Sequence, residues 1–180
     1  MRAVLSGGKA TRILARITFT QLFRGWKLWV ALALAALPTA AGLLLRGDPH
    51  ALHDALAITI PILAVLPPLF VAPTVADELS ENTYTYLWSR PFPRWAIVCG
   101  KLTGALPVAA LLTAASAGAA AAVVGAPPAD TAGAAAAFFA GGCAAGIAAA
   151  AIAILLSRHG MVMAIVYLIV DFAIGNLDAG

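Results

Sequence analysis

Ala55–Ala76 reads ALAITIPILAVLPPLFVAPTVA, and it runs directly into Asp77–Arg94, DELSENTYTYLWSRPFPR. The first stretch carries no charged side chain over its whole length. About 20 apolar residues wound as a helix cross the roughly 30 Å hydrocarbon core of a bilayer. The second stretch is acidic at its start, aromatic in its middle and basic at its end. The apolar run sets the environment of the chain, and the polar one is where a role can be read.

Working outward, the rest of the chain has the same apolar character. Of 180 residues, 62% are hydrophobic and 11% charged, with a mean hydropathy of +0.94. Soluble domains are nearer half apolar and a quarter charged, so the chain belongs to the membrane class. Five runs predict spans at Leu28–Leu45, Ala55–Ala76, Ala96–Val124, Thr131–Leu156 and Met161–Leu177. Backbone groups in lipid must be paired within the segment, which favours helices. A membrane β-barrel would alternate in polarity, and these runs do not. The expected fold is an all-α polytopic bundle. It has an N-terminal segment, residues 1–27, one transmembrane domain over 28–180, and a polar segment at 77–95.

The isoelectric point near 9.2 does not point to nucleic acid, because the basic residues sit beside apolar runs, where they set topology. With the N-terminus in the cytoplasm, ten of the 11 Lys and Arg residues fall inside and only Arg46 lies outside. That orientation places Asp77–Arg94 in the cytoplasm. A signal peptide has a short basic start, whereas 27 residues precede the first run here. Within them Lys9, Arg12, Arg16, Arg24 and Lys27 form one helical stripe, with Leu14, Ile17, Leu22 and Trp26 mostly opposite. This predicts a helix lying in the membrane interface and held by lipid headgroups. Arg12, Arg16, Arg24, Trp26, Lys27, Trp95 and Lys101 are the expected interfacial anchors, with Lys101 snorkelling back to water.

Pro61, Pro67, Pro68 and Pro73 fall in one span and predict a bent or broken helix lining a cavity or an interface. Gly142-x-x-x-Gly146 permits close helix approach, within the chain or between two copies. Asp171 is the one carboxylate inside a predicted span. An acid at a helix centre costs roughly 2.5–3.5 kcal/mol on insertion scales, so Asp171, with Pro67 and Pro68, is a candidate for a pathway or an interface. The other candidate for Asp171 is a wet position near the outer helix end. Cys99 and Cys143 lack metal-ligand spacing, and His50, His53, Asp48 and Asp54 form too short a pattern to define a metal site. Leu5-Ser6-Gly7-Gly8-Lys9 does not satisfy a phosphate loop. No catalytic constellation is present in the sequence, so no enzymatic activity is expected of this chain.

Wound at 100° per residue, Asp77–Ser89 has two faces. Asp77, Glu78, Glu81, Asn82, Thr85 and Ser89 occupy one, and Leu79, Thr83, Tyr84, Tyr86 and Leu87 the other. Arg90-Pro91 ends the helix. Cytoplasmic lipid is negative and repels carboxylates, so the acidic face suits a basic protein partner.

These residues resemble a family. Glu78 and Glu81, Thr83, the patch Tyr84–Trp88, Arg90-Pro91, Arg94 and then Gly100-Lys101-Leu102 are similar to the central block of ABC-2-type transporter permeases. The basic N-terminal helix resembles the interfacial helix of that family. Ser157-Arg158-His159-Gly160 resembles its turn into a fifth segment, in which Asp171 would take the place of a common acid. Asn82 stands where the family usually has glycine, and the family usually has six segments, so the last span is expected to be missing. The resemblance implies a permease subunit, most simply of an exporter, in a bacterial-type inner membrane. It implies a cytoplasmic ABC ATPase partner, which binds ATP and Mg²⁺, and a second permease copy or paralogue. It implies ATPase coupling through Glu78, Glu81, Thr83, Tyr84, Leu87, Arg90 and Arg94. A membrane assembly or anchoring subunit without an ATPase would keep the same helices and remains the alternative.

Overall fold

The computed structural model describes residues 7–80, 94–156 and 159–177. Every regular element among them is an α-helix: α1 (Gly7–Arg24), α2 (Trp26–Leu44), α3 (Ala51–Ser80), α4 (Arg94–Val123), α5 (Pro128–Leu155) and α6 (Gly160–Leu177). Stretches in α2 to α5 are long and apolar enough to cross a bilayer, namely Trp26–Leu44, Ala51–Val75, Trp95–Val123 and Pro128–Leu155. Among the described residues four such stretches therefore stand against the expected five. The apolar part of α6, Gly160–Ile174, rises about 22 Å at 1.5 Å per residue. That falls short of the roughly 30 Å core.

The breaks between helices have local causes. Gly25 is extended (φ −95°, ψ 155°) and separates α1 from α2. Gly47 and Gly125 have φ of 97° and 84°, backbone that side chains with a Cβ rarely adopt. In the α2–α3 turn the Asp48 carboxylate accepts the His50 backbone N–H at 2.8 Å, a turn-stabilising contact open to Asp. Pro128 opens α5, where a missing N–H costs nothing.

The centre of the bundle is α3 against α4, with α2 and α5 packed on both. Leu66, Phe70, Val71, Val75, Val108 and Ala109 are buried there. Lipid tails are as apolar as these side chains, so burial alone does not drive helices together. Close packing and interhelical hydrogen bonds do. The Ser116 hydroxyl donates to the Ala35 carbonyl of α2 at 2.8 Å. The Thr113 hydroxyl donates to its own helix at Ala110 (2.9 Å) and across to Phe138 of α5 (3.1 Å).

Gly142 and Gly146 serve this intramolecular seam. A Cβ on Gly142 would come within 3.0 Å of the Ala110 Cα, and one on Gly146 would strike Leu106 and reach Pro67 at 3.7 Å. The pair therefore packs α5 against α4 and α3 within one chain.

Of the expected bend or break, the break is absent: α3 is an uninterrupted 30-residue helix through all four prolines. Each proline strips the donor from the carbonyl four residues earlier, at Ala57, Leu63, Ala64 and Leu69. Membrane helices tolerate this where neighbouring helices surround them, and α3 packs against α2, α4, α5 and α6.

Helix α1 docks on α4 through small residues. A Cβ on Gly104 would lie 2.7 Å from the Ala15 carbonyl and 2.9 Å from the Thr18 Cβ, and one on Gly100 would lie 2.8 Å from the Leu14 Cβ. Ala10, Thr18 and Leu22 are buried. The cationic residues Lys9, Arg12, Arg16 and Arg24 are exposed, together with Ile13, Ile17, Phe19 and Phe23. The residues expected opposite the cations therefore divide: Leu14 and Leu22 turn toward the bundle, while Ile17 and Trp26 stay exposed. Helix α1 is held by protein contacts as well as by whatever its outer face meets.

Candidate functional site

Two places in the bundle carry chemistry. The first is the end at which α1 meets α2, α3 finishes and α4 begins. A cavity of about 510 Å³ opens there, with Lys27, Lys101, Gln21, Thr18 and Thr74 on its polar side and Leu22, Leu69, Phe70 and Pro73 on its apolar side. Lys101 is half-buried, and its ammonium donates to the Thr74 carbonyl of α3 at 2.6 Å. Instead of only snorkelling to water, Lys101 ties α4 to α3. Pro73, which removes the helical donor of the Leu69 carbonyl, lines the same cavity as Leu69. Of the residues expected as interfacial anchors, Arg12, Arg16, Arg24, Trp26 and Trp95 are exposed, while Lys27 is half-buried at the cavity wall.

The Lys101–Thr74 contact has a testable weight. Hydrogen bonds to charged donors contribute about 1.5–3 kcal/mol. Lys101→Met should lower the thermal stability of the detergent-solubilised protein accordingly, and Lys101→Arg should restore most of the loss. Equal stability of all three proteins would show that the contact holds nothing.

Of the residues expected to couple to an ATPase, Glu81, Thr83, Tyr84, Leu87 and Arg90 lie outside the described residues. Glu78 and Arg94 are placed by backbone alone, at the end of α3 and the start of α4. The described helix does reach into the polar segment: α3 passes without a break from its apolar part, which ends at Val75, to Ser80.

The second place is a groove of about 280 Å³ between α3, α5 and α6, lined by Ile60, Leu63, Gly141, Ala144, Tyr167 and Asp171 among others. Asp171 stands eleven residues past Gly160, the start of α6, about 16 Å along the axis. Its neighbour Gly141 lies at the middle of the 28-residue α5. The carboxylate thus stands two-thirds of the way along α6, six residues before Leu177, and is exposed. Tyr167, one turn earlier, shares its face.

Pro67 and Pro68 are not part of this groove. Both are fully buried in the bundle interior, and Pro67 faces Gly146 of α5. Sequence inspection missed Gly100 and Gly104 as the seat of α1. Their spacing of four was the available signal, hidden in a segment that otherwise reads as the polar opening of a span.

Comparison of the chain with models of protein families, with curated proteins and with solved structures finds no match.

Proposed function

We propose that this chain is the permease subunit of an ATP-driven transporter of the ABC-2 type, working as an exporter in a bacterial-type inner membrane. Its N-terminus is cytoplasmic, and ATP is hydrolysed by a separate ABC ATPase rather than by this chain. The observation that carries the proposal is the continuity of α3. Its 30 residues make about 45 Å of continuous helix, longer than a hydrocarbon core of roughly 30 Å. The apolar part packs at the centre of the bundle, and the last turn, Asp77–Ser80, belongs to the acidic segment.

A force applied at that segment has a direct route inward. Movement of Glu78 shifts the end of α3, and with it the buried Phe70, Val71 and Pro67. The Lys101–Thr74 contact passes the displacement to α4. Two close-packed helices respond as units because packed cores are not continuously deformable. Access would then alternate as α3 and α4 shift together against α5 and α6.

The test is co-purification with the cytoplasmic ABC ATPase. Glu78→Lys with Glu81→Lys should reduce retained ATPase at least tenfold while leaving membrane insertion and yield intact. Full retention by that double variant would overturn the coupling role. Failure of the unaltered chain to hold any ABC ATPase would favour an assembly or anchoring subunit instead.

A further inference from the structure

The groove between α3, α5 and α6 holds a carboxylate where one is costly. Asp171 is exposed on the α6 wall of this groove, with Ile60, Leu63, Ala144 and the exposed ring of Tyr167 also lining it. No lysine, arginine or histidine lines the groove among the described residues. A charged side chain in an apolar membrane segment pairs with an opposite charge.

An inorganic cation is a poor fit. Hard cations require about six oxygen ligands. The groove's lining side chains offer the Asp171 carboxylate and the Tyr167 hydroxyl, and no group of three His, Cys, Asp or Glu side chains assembles among the described residues. An organic ammonium needs no such cage. It carries its own apolar shell, which matches the alkyl walls, and its charge pairs with the carboxylate. The Tyr167 ring, four residues from Asp171, adds an aromatic face to which cations are attracted.

The space is limited. Its volume of about 280 Å³ falls just below the roughly 300–1,000 Å³ of small-molecule sites. Leu63 closes the floor, since a Cβ on Gly141 would already approach it to 3.0 Å. The room left lies between Ala144, Ala148 and the Asp171–Tyr167 edge of α6.

We propose that this groove binds a hydrophobic organic cation of single-ring size, with Asp171 as its counter-ion and Tyr167 as its aromatic wall. Binding needs no nucleotide and stands apart from the transport proposal; only the use of such a cation as cargo rests on it.

The experiment uses the full chain in phosphatidylcholine nanodiscs without nucleotide. Benzyltrimethylammonium is compared with neopentylbenzene, its neutral carbon isostere, by equilibrium dialysis. The unaltered protein should bind the cation saturably, one per chain. Asp171→Asn should weaken that binding at least tenfold and leave uptake of the neutral compound unchanged. Ala148→Phe, which fills the groove and keeps the carboxylate, should abolish cation binding as well, so the result does not hang on one variant. Three outcomes would overturn the proposal. One is no saturable cation binding by the unaltered protein. Another is equal binding by Asp171→Asn or by Ala148→Phe. The third is efficient disulfide cross-linking of Asp171→Cys between two copies, which would show that a second chain covers the groove.

Discussion

Gly104→Leu is expected to lift α1 off α4. The first carbon of the new side chain would already sit 2.7 Å from the Ala15 carbonyl and 2.9 Å from the Thr18 Cβ. The carbonyl belongs to the α1 backbone and cannot rotate away, so the helix itself has to move. Overpacking a tight interior costs about 1–3 kcal/mol and occasionally more. Three further carbons with no space put Gly104→Leu at or above the upper end. The cost falls on one seam, so the first consequence is undocking of α1, with the rest of the bundle still assembled. Thr18, buried in the seated helix, reports on this directly. In a Cys99→Ser, Cys143→Ser background, Thr18→Cys should react slowly with a water-soluble maleimide. Adding Gly104→Leu should speed the reaction at least tenfold. Gly133, where an added Cβ would meet nothing within 4 Å, is the control, and Gly133→Leu should leave the rate unchanged. Slow labelling in the Gly104→Leu protein would mean that α1 is not seated as described.

The membrane class and the positions of the spans are legible in the sequence because they depend on a local average. Twenty apolar residues in a row mean the same thing whatever they pack against. The described helices α2 to α5 accordingly fall within a few residues of the expected runs, although α3 and α5 begin earlier, at Ala51 and Pro128. What the sequence hides is which face meets which. Gly142 and Gly146 allow close approach, but a spacing of four does not say whether the partner lies in the same chain. Here Ala110 and Leu106 of α4 supply it. Gly100 and Gly104 have the same spacing, and the lysine and threonine between them disguise it. For a related reason, the prolines of α3 do not break it. A missing N–H breaks an isolated helix, but surrounding helices hold α3 in register. The count of spans fails at α6, where the apolar stretch among the described residues is too short to reach across. For the candidate site, Asp171 stands out in sequence as a lone charge, yet the groove it lines depends on how α6 packs against α3 and α5. Coupling residues 81–93 fall outside the described structure, so their role rests on pattern and on the continuity of α3.

Gly142→Leu is expected to disrupt the α4–α5 seam. A Cβ at this position would lie 2.5 Å from the Thr113 hydroxyl oxygen and 3.0 Å from the Ala110 Cα. Two effects then add. Steric overlap with the α4 backbone forces the helices apart, again by about 1–3 kcal/mol or more. The separation also breaks the Thr113–Phe138 hydrogen bond, and interhelical bonds of this kind average about 0.6 kcal/mol in membranes. Their order decides the interpretation. Thr113→Val removes the hydrogen bond and keeps the shape, so it should cost well under 1 kcal/mol. Gly142→Leu should cost several times that, because packing and not hydrogen bonding dominates the seam. Gly142→Ala should fall between them, since even one methyl overlaps Ala110. Cys143, half-buried beside the mutated position, supplies the readout in a Cys99→Ser background. Its thiol should label faster, and at lower temperature, in the order Thr113→Val, Gly142→Ala, Gly142→Leu. If Thr113→Val proves as damaging as Gly142→Leu, the hydroxyl and not the glycine holds α5 to α4. The small-residue account of the seam would then fail.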